Sequence, residues 1–172
     1  MASLVKQLML HEGVRLKPYR CSAGKLTIGV GHNYEDTGLP KWLMGELGIK
    51  SVILQDVTNG LAKGFNLDMA ERLLSEDITL FENSLRVEFD WFDGLDEVRK
   101  KVLMDMAFNM GMKTLKTFKN TLKMVTNGDY DGASKGMLQS KWAKQVGKRA
   151  ERLAHMMRTG KDYDSDGGLG AK

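Results

Sequence analysis

The chain has 172 residues, 26 Lys and Arg against 22 Asp and Glu, 42% hydrophobic residues and a single Cys, which suits one soluble globular unit and excludes a disulfide-rich scaffold. No run approaches the roughly 18 apolar residues of a membrane-spanning helix, and the start is broken by Lys6, Gln7, His11 and Glu12, so neither a signal peptide nor an anchor is expected. The net charge of +4 is unevenly placed: Lys141 to Lys161 holds seven basic residues and one acid, Glu151, which fits either an anionic partner or a helix with a solvated basic face.

Leu4, Val5, Leu8 and Met9 recur at helical spacing, with Ser3 placed as a cap and Gly13 as a stop. Glu12 then falls at a helix C-terminus, where the helix dipole disfavours negative charge. Leu16 to Val30 reads as a hairpin around a turn containing Gly24, with a short helix over Pro40 to Gly48 and a third strand near Lys50 to Leu54. Asn66 caps a long predicted helix in which Leu67, Ala70, Leu74, Ile78, Phe81 and Leu85 fall three and four apart. Helices follow at about Leu95 to Met110, Leu115 to Val125, Asp131 to Leu138 and Gly147 to Thr159, separated by Gly111, Gly128 and Gly147. The pattern is α+β: a small β-bearing lobe, a long helix, then a helical lobe. Met104, Met106, Met110 and Met112 read as core packing.

Glu12, Cys21 and Thr27 are the first candidates for chemistry, because a hairpin folding back on the first helix brings all three to one cleft. Glycosidic cleavage needs a carboxylic acid that protonates the leaving oxygen, faced by a group that attacks or activates water. By spacing alone the signal is weak, and a solvated Glu, a core Cys and a strand Thr are the ordinary explanation of these residues.

His11-Glu-Gly-Val-Arg-Leu-Lys-Pro-Tyr-Arg-Cys21, followed by Gly24-Lys-Leu-Thr-Ile-Gly-Val-Gly-His32, resembles the active-site signature of the phage-type lysozymes, the endolysins of glycoside hydrolase family 24. Val98 to Gly111 and Thr117 to Leu122 resemble that family's helical lobe, and Ser140 through Arg149 and Arg152 to Gly160 its closing helices, so the resemblance runs from about Leu4 to Gly160. It implies a two-lobed lysozyme-like fold over residues 1–160, with 14–66 as the β-containing lobe, 67–88 as the connecting helix, 1–13 joining 89–160 in the larger helical lobe, and a flexible tail over 161–172.

The resemblance also implies residue roles. Glu12 is the general acid. Cys21 stands where the family usually has Asp, and Thr27 helps to position water. Two routes stay open: a Cys21 thiolate attacks the sugar and gives retention, or Cys21 and Thr27 orient a water and give inversion; the second gives Thr27 a role. Arg149 matches the arginine that pairs with the catalytic Glu, although a cation there lowers the pKa that a general acid wants raised. Arg152 faces His11 where an acid is usual, so its pair is expected to be weaker or relocated. Asn33, Phe108 and Thr121 align with sugar-binding positions, and a fourth such position falls on Gly136, which has no side chain. His32 is expected to pair with Asp77. A Cys21–His32 hydrolase lacks a third orienting group, and His11, Cys21, His32 and His155 show no zinc spacing.

The expectation is therefore a monomeric muramidase with no cofactor or metal that cleaves the β-1,4 bond between N-acetylmuramic acid and N-acetylglucosamine in peptidoglycan. It would be held in the host cytoplasm until a holin-type lesion releases it, and would not act on nucleic acid. Lys141 to Lys161 is the segment expected to meet an anionic membrane or lipopolysaccharide surface. The rival is a non-catalytic wall- or membrane-binding protein on the same fold, acting through Gly147 to Thr159 as a membrane-surface helix.

Overall fold

The computed structural model describes residues 2–162; the tail from 163 onward and the side chains of Ala2 and Ser3 lie outside the described residues. Contacts divide the chain between Leu80 and Phe81 into two compact units, with the first helix grouped in the N-terminal one. The fold is α+β, a small three-stranded sheet with many helices.

In the first unit, α1 (Ala2–Glu12) begins ahead of Ser3 and stops where Gly13, at φ +75°, donates its N–H to the Met9 carbonyl at 3.0 Å. Strands β1 (Arg15–Arg20), β2 (Leu26–Gly29) and β3 (His32–Asn33) form an antiparallel sheet in that order. Two short helices follow, α2 (Tyr34–Thr37) and α3 (Lys41–Glu46), the latter within the expected Pro40 to Gly48.

The third strand expected near Lys50 to Leu54 is absent. Those residues lead into a helix that periodicity did not reveal, α4 (Leu54–Gly64), and the third strand is the two-residue β3. Val52 and Ile53 are 88% and 64% exposed, so their β-branched side chains pack against no sheet, and β-propensity without a neighbouring strand does not make one. Thr58, Asn59 and Gly60 obscured α4, whose buried Val57 and Leu61 are spaced for one helical face. Ile28, Tyr34, Leu43, Val57, Leu61, Phe65, Ala70 and Leu73 form the core of this unit.

α5 (Leu67–Glu88) has the predicted cap, the Met69 N–H donating to Asn66 Oδ1 at 3.0 Å. In the second unit a 3-10 turn (Phe92–Gly94) precedes α6 (Glu97–Leu115), which kinks at Gly111 where φ is +78°. Then come α7 (Lys119–Thr126), starting four residues later than expected, α8 (Tyr130–Leu138), α9 (Lys141–Val146) and α10 (Lys148–Thr159). The short α9 went unpredicted, although Ser140 caps it by accepting the Ala143 N–H at 3.1 Å.

The buried stretch Val102 to Ala107 of α6 forms the centre of this unit, with Met104 and Met106 in the core as expected and Met110 and Met112 half-buried. α10 packs on α8 and α6, and its Ala150, Leu153, Ala154, Met156 and Met157 are each no more than 1% exposed. The apolar stripe that suggested a membrane-surface helix is thus a core face, already covered by protein.

Candidate active site

Cys21 follows β1 directly and opens the turn into β2. Its N–H donates to the Lys25 carbonyl at 3.0 Å, and the Gly24 N–H donates back to the Cys21 carbonyl at 2.8 Å. Gly24 sits at φ +78°, a left-handed conformation that a side chain resists. The tight turn aims backbone donors at the sulfur. The Lys25 N–H, then the Ala23 N–H, hold the Cys21 thiol below its ordinary pKa; burial opposes them weakly and the Thr27 hydroxyl adds to them. The thiol is part-exposed, so a sulfur whose ionised form the turn favours is open to solvent.

Thr27 is 1% exposed, and its hydroxyl donates to the Lys25 carbonyl at 2.9 Å. A hydroxyl carries one proton. When Cys21 is a thiol that proton goes to Lys25 O; when it is a thiolate the hydroxyl can turn to the sulfur, since the Cys21 N–H still satisfies the carbonyl.

Cross-strand register sets the rest of this unit's site. Tyr19 lies opposite Thr27, and Thr27 opposite Asn33, so the three side chains share one face of the sheet. Glu12, exposed at the last position of α1, belongs to the same neighbourhood. Burial raises the Tyr19 phenol pKa, Arg15 opposes that with its guanidinium 4.4 Å from the ring centroid, and the negative charges of Cys21 and Glu12 raise it further. Tyr19 therefore holds its proton and feels the charges of both the carboxylate and the sulfur. Its place in the repeat of polar residues along β1 was its signal in the sequence, and it was passed over there.

Asn33 is already engaged: it caps α2, its Oδ1 accepting the Asp36 N–H at 3.1 Å and its Nδ2 donating to Asp36 Oδ2 at 2.9 Å. His32 and Asp77 pair as expected, Nδ1 lying 2.9 Å from Oδ2, while Nε2 faces the Gly38 carbonyl at 2.9 Å. Burial favours the neutral ring, but the Asp77 hydrogen bond and charge, helped by Gly38 O and Glu76, raise the His32 pKa above its ordinary value. Only the protonated ring donates from both nitrogens, so the two acceptors act together in favour of the charged form.

The remaining predicted residues lie in the second unit. Phe108 packs its ring against Phe81, centroids 5.3 Å apart. Thr121 is buried on α7 and faces Gly136 of α8 so closely that a Cβ there would lie 2.7 Å from the threonine Oγ1. Arg149 is buried and bonds Asp105, whose side chain is fully buried, through Nε at 2.8 Å and Nη2 at 2.7 Å, both to Oδ1. Asp105 was missed in the sequence; its signal was an acid inside the apolar run Val102 to Ala107, a position filled by a charge only when a partner is supplied. Among the described residues no group of three His, Cys, Asp or Glu side chains is arranged to hold a metal ion.

The family described as phage lysozyme matches residues 9–158, nearly the whole length. The chain belongs to this family. A probable T4-type lysozyme 2 of Dictyostelium discoideum is 29% identical over 168 residues, covering 94% of this chain and 98% of its own. An endolysin of Acyrthosiphon pisum secondary endosymbiont phage 1 is 32% identical over 143 residues, covering 81% of this chain and 77% of its own. The pre-baseplate central spike protein of Enterobacteria phage T4 is 25% identical over 162 residues, which are 92% of this chain but 28% of that protein. This phage-type lysozyme is a hydrolase with peptidoglycan as its substrate. Among the described residues no helix is long and apolar enough to cross a membrane.

Proposed function

We propose that the protein is an endolysin that hydrolyses the β-1,4 bond between N-acetylmuramic acid and N-acetylglucosamine, with Glu12, Cys21 and Thr27 as its catalytic residues. The observation that carries this reading is the cluster in the first unit: a carboxylate at the end of α1 and a donor-held sulfur at the end of β1, both felt by Tyr19, with the buried Thr27 hydroxyl beside the sulfur.

Glu12 delivers its proton to the glycosidic oxygen as the bond to the anomeric carbon breaks. A water held by the Cys21 thiolate and Thr27 attacks that carbon from the opposite face and gives its proton to the sulfur. The product has inverted configuration, and exchange with solvent returns one proton to Glu12 and removes one from Cys21. The lowered thiol pKa supports this base role: where the family usually has Asp, the turn's backbone donors favour the ionised form of the sulfur. The family resemblance assigns Arg149 to the support of Glu12, and Asn33, Phe108 and Thr121 to sugar binding. Lys141 to Lys161 favours encounter with the anionic wall at low salt. The enzyme waits in the host cytoplasm until a membrane lesion releases it.

The test is reducing-end release from purified peptidoglycan by wild type, Glu12→Gln and Cys21→Ser. Glu12→Gln should lose at least about a hundredfold in rate, the usual scale for a general acid. New amino termini without new reducing ends would instead identify an amidase and overturn the reading.

A further inference from the structure

The turn that carries Cys21 is held from outside by a residue that neither the sequence nor the family resemblance singles out. Glu35, in the first turn of α2, accepts the Leu26 N–H through Oε2 at 3.0 Å. Leu26 lies one residue beyond the β2–β3 pairing, so this N–H has no strand partner on that side. The same carboxylate stands 3.5 Å from Arg20 Nη1 and 3.5 Å from Lys25 Nζ, the cations on either side of the turn. Arg20 Nη1 in turn donates to the Gly24 carbonyl at 2.5 Å, and Lys25 is anchored a second time on Asp36 at 2.8 Å. Both ends of the Cys21–Lys25 turn are thus tied to α2.

We propose that Glu35 is a positioning residue for the hydrolytic reaction: by holding Leu26 N–H, Arg20 and Lys25 together, it fixes the turn whose backbone donors present the Cys21 sulfur. The inference rests on Cys21 acting in catalysis as proposed above, but its core is a statement about turn geometry. Glu35 itself is kept below the usual carboxylate range, chiefly by the Leu26 N–H, against burial and with help from Lys25 and Arg20, so it is ionised wherever the enzyme works.

Two opposed effects make the proposal decidable. The charged and titratable groups around Cys21 are Glu12 on α1, Arg15, Tyr19 and Arg20 on β1, Lys25 in the turn, and Glu35 and Asp36 on α2. Removing Glu35 leaves Arg20 and Lys25 less neutralised, which by charge alone would favour the thiolate. Loosening the turn withdraws the Ala23 and Lys25 N–H donors, which disfavours it. The donors are the larger influence on the sulfur, so the turn effect governs.

The experiment follows the rate of Cys21 alkylation by iodoacetamide against pH in the full chain, for wild type, Glu35→Gln and Glu35→Ala, beside kcat and KM on peptidoglycan and circular dichroism. In Glu35→Ala the alkylation midpoint should rise by about half a pH unit or more and kcat should fall about tenfold with KM nearly unchanged, a positioning loss. Glu35→Gln, which keeps an acceptor for Leu26 N–H, should lie between the two. A midpoint in the folded Ala variant that is unchanged or lower overturns the proposal; if the Ala variant does not fold, an unchanged midpoint in Glu35→Gln does so. The alkylation readout needs no turnover. A wild type without lysozyme activity whose thiol still responds to Glu35 would sink the catalytic reading and leave the clamp standing.

Discussion

The Asp105–Arg149 pair offers the sharpest test of how the second unit is held. Truncating Asp105 to Ala removes the shared acceptor of two guanidinium bonds, 2.7 and 2.8 Å long, from a site where the carboxylate is 0% and the guanidinium 8% exposed. With charge centres about 4 Å apart and an effective dielectric near 20, the lost attraction is about 4 kcal/mol, matching the roughly 3 to 5 kcal/mol lost when one partner of a buried pair is removed. Arg149 has interactions besides Asp105, which puts the expectation at the low end, about 3 kcal/mol. For a chain of this size that is a fall of about 6 to 12 °C in Tm. Asp105→Asn keeps one acceptor and should lose about half as much. The double variant Asp105→Leu, Arg149→Met replaces charge by apolar volume and should recover to within about 2 kcal/mol of wild type. Urea unfolding of all four proteins, with m-values compared, supplies the numbers. A loss below about 1 kcal/mol for Asp105→Ala, or a double variant no more stable than Asp105→Ala, would refute the reasoning.

Three further outcomes are expected. His32 has a folded pKa above its unfolded value near 6.5, so its pairing contributes fully below that pH and fades as pH rises through the folded value; the stability gap between wild type and His32→Gln should narrow as pH rises above about 6.5, and a gap that widens would contradict the pairing. At Gly24 a Cβ meets nothing within 4 Å but φ is +78°, so Gly24→Ala should cost about 1 to 2 kcal/mol from backbone strain alone, and slower alkylation of Cys21 at neutral pH should accompany it. Arg99 donates through Nε to the Met157 carbonyl at 2.7 Å and through Nη2 to the Arg158 carbonyl at 3.2 Å, capping α10 from α6 while stacking on Tyr130; Arg99→Met should lose about 2 kcal/mol in urea unfolding, and a loss under about 0.5 kcal/mol would show these bonds to be dispensable.

What the sequence disclosed and what it hid follow physical lines. The long α5 was legible because its apolar stripe and its Asn66 cap are local signals that packing then reinforced. The hairpin was legible from its turn glycine, while the Glu12, Cys21 and Thr27 spacing gained its meaning from the resemblance to the phage-type lysozymes. α4 was hidden because Val52 and Ile53 have the chemistry of a strand but no strand to pair with, and pairing is a property of the whole fold. Tyr19, Glu35 and Asp105 were hidden for a related reason. Tyr19 matters through the residues across the sheet, Glu35 through an orphaned N–H nine residues away, and Asp105 through an arginine 44 residues away. None of these relations has a period or a motif. Asn33 was singled out through resemblance alone, and its capping of α2 through both ends of its amide is a relation that the structure adds.

The close approach of Gly136 to Thr121 links the two residues by volume. Glycine within a helix forgoes about 1 kcal/mol relative to alanine, so α8 would gain from any side chain at 136 were the space not held by a hydroxyl on α7. Positions 121 and 136 are therefore one site with a fixed capacity shared between two helices: a larger group on α8 requires a smaller one on α7. A designer who wishes to place a polar side chain at 136 must trim Thr121 in the same step, and a library that varies position 136 alone meets the threonine hydroxyl at every side chain it tries.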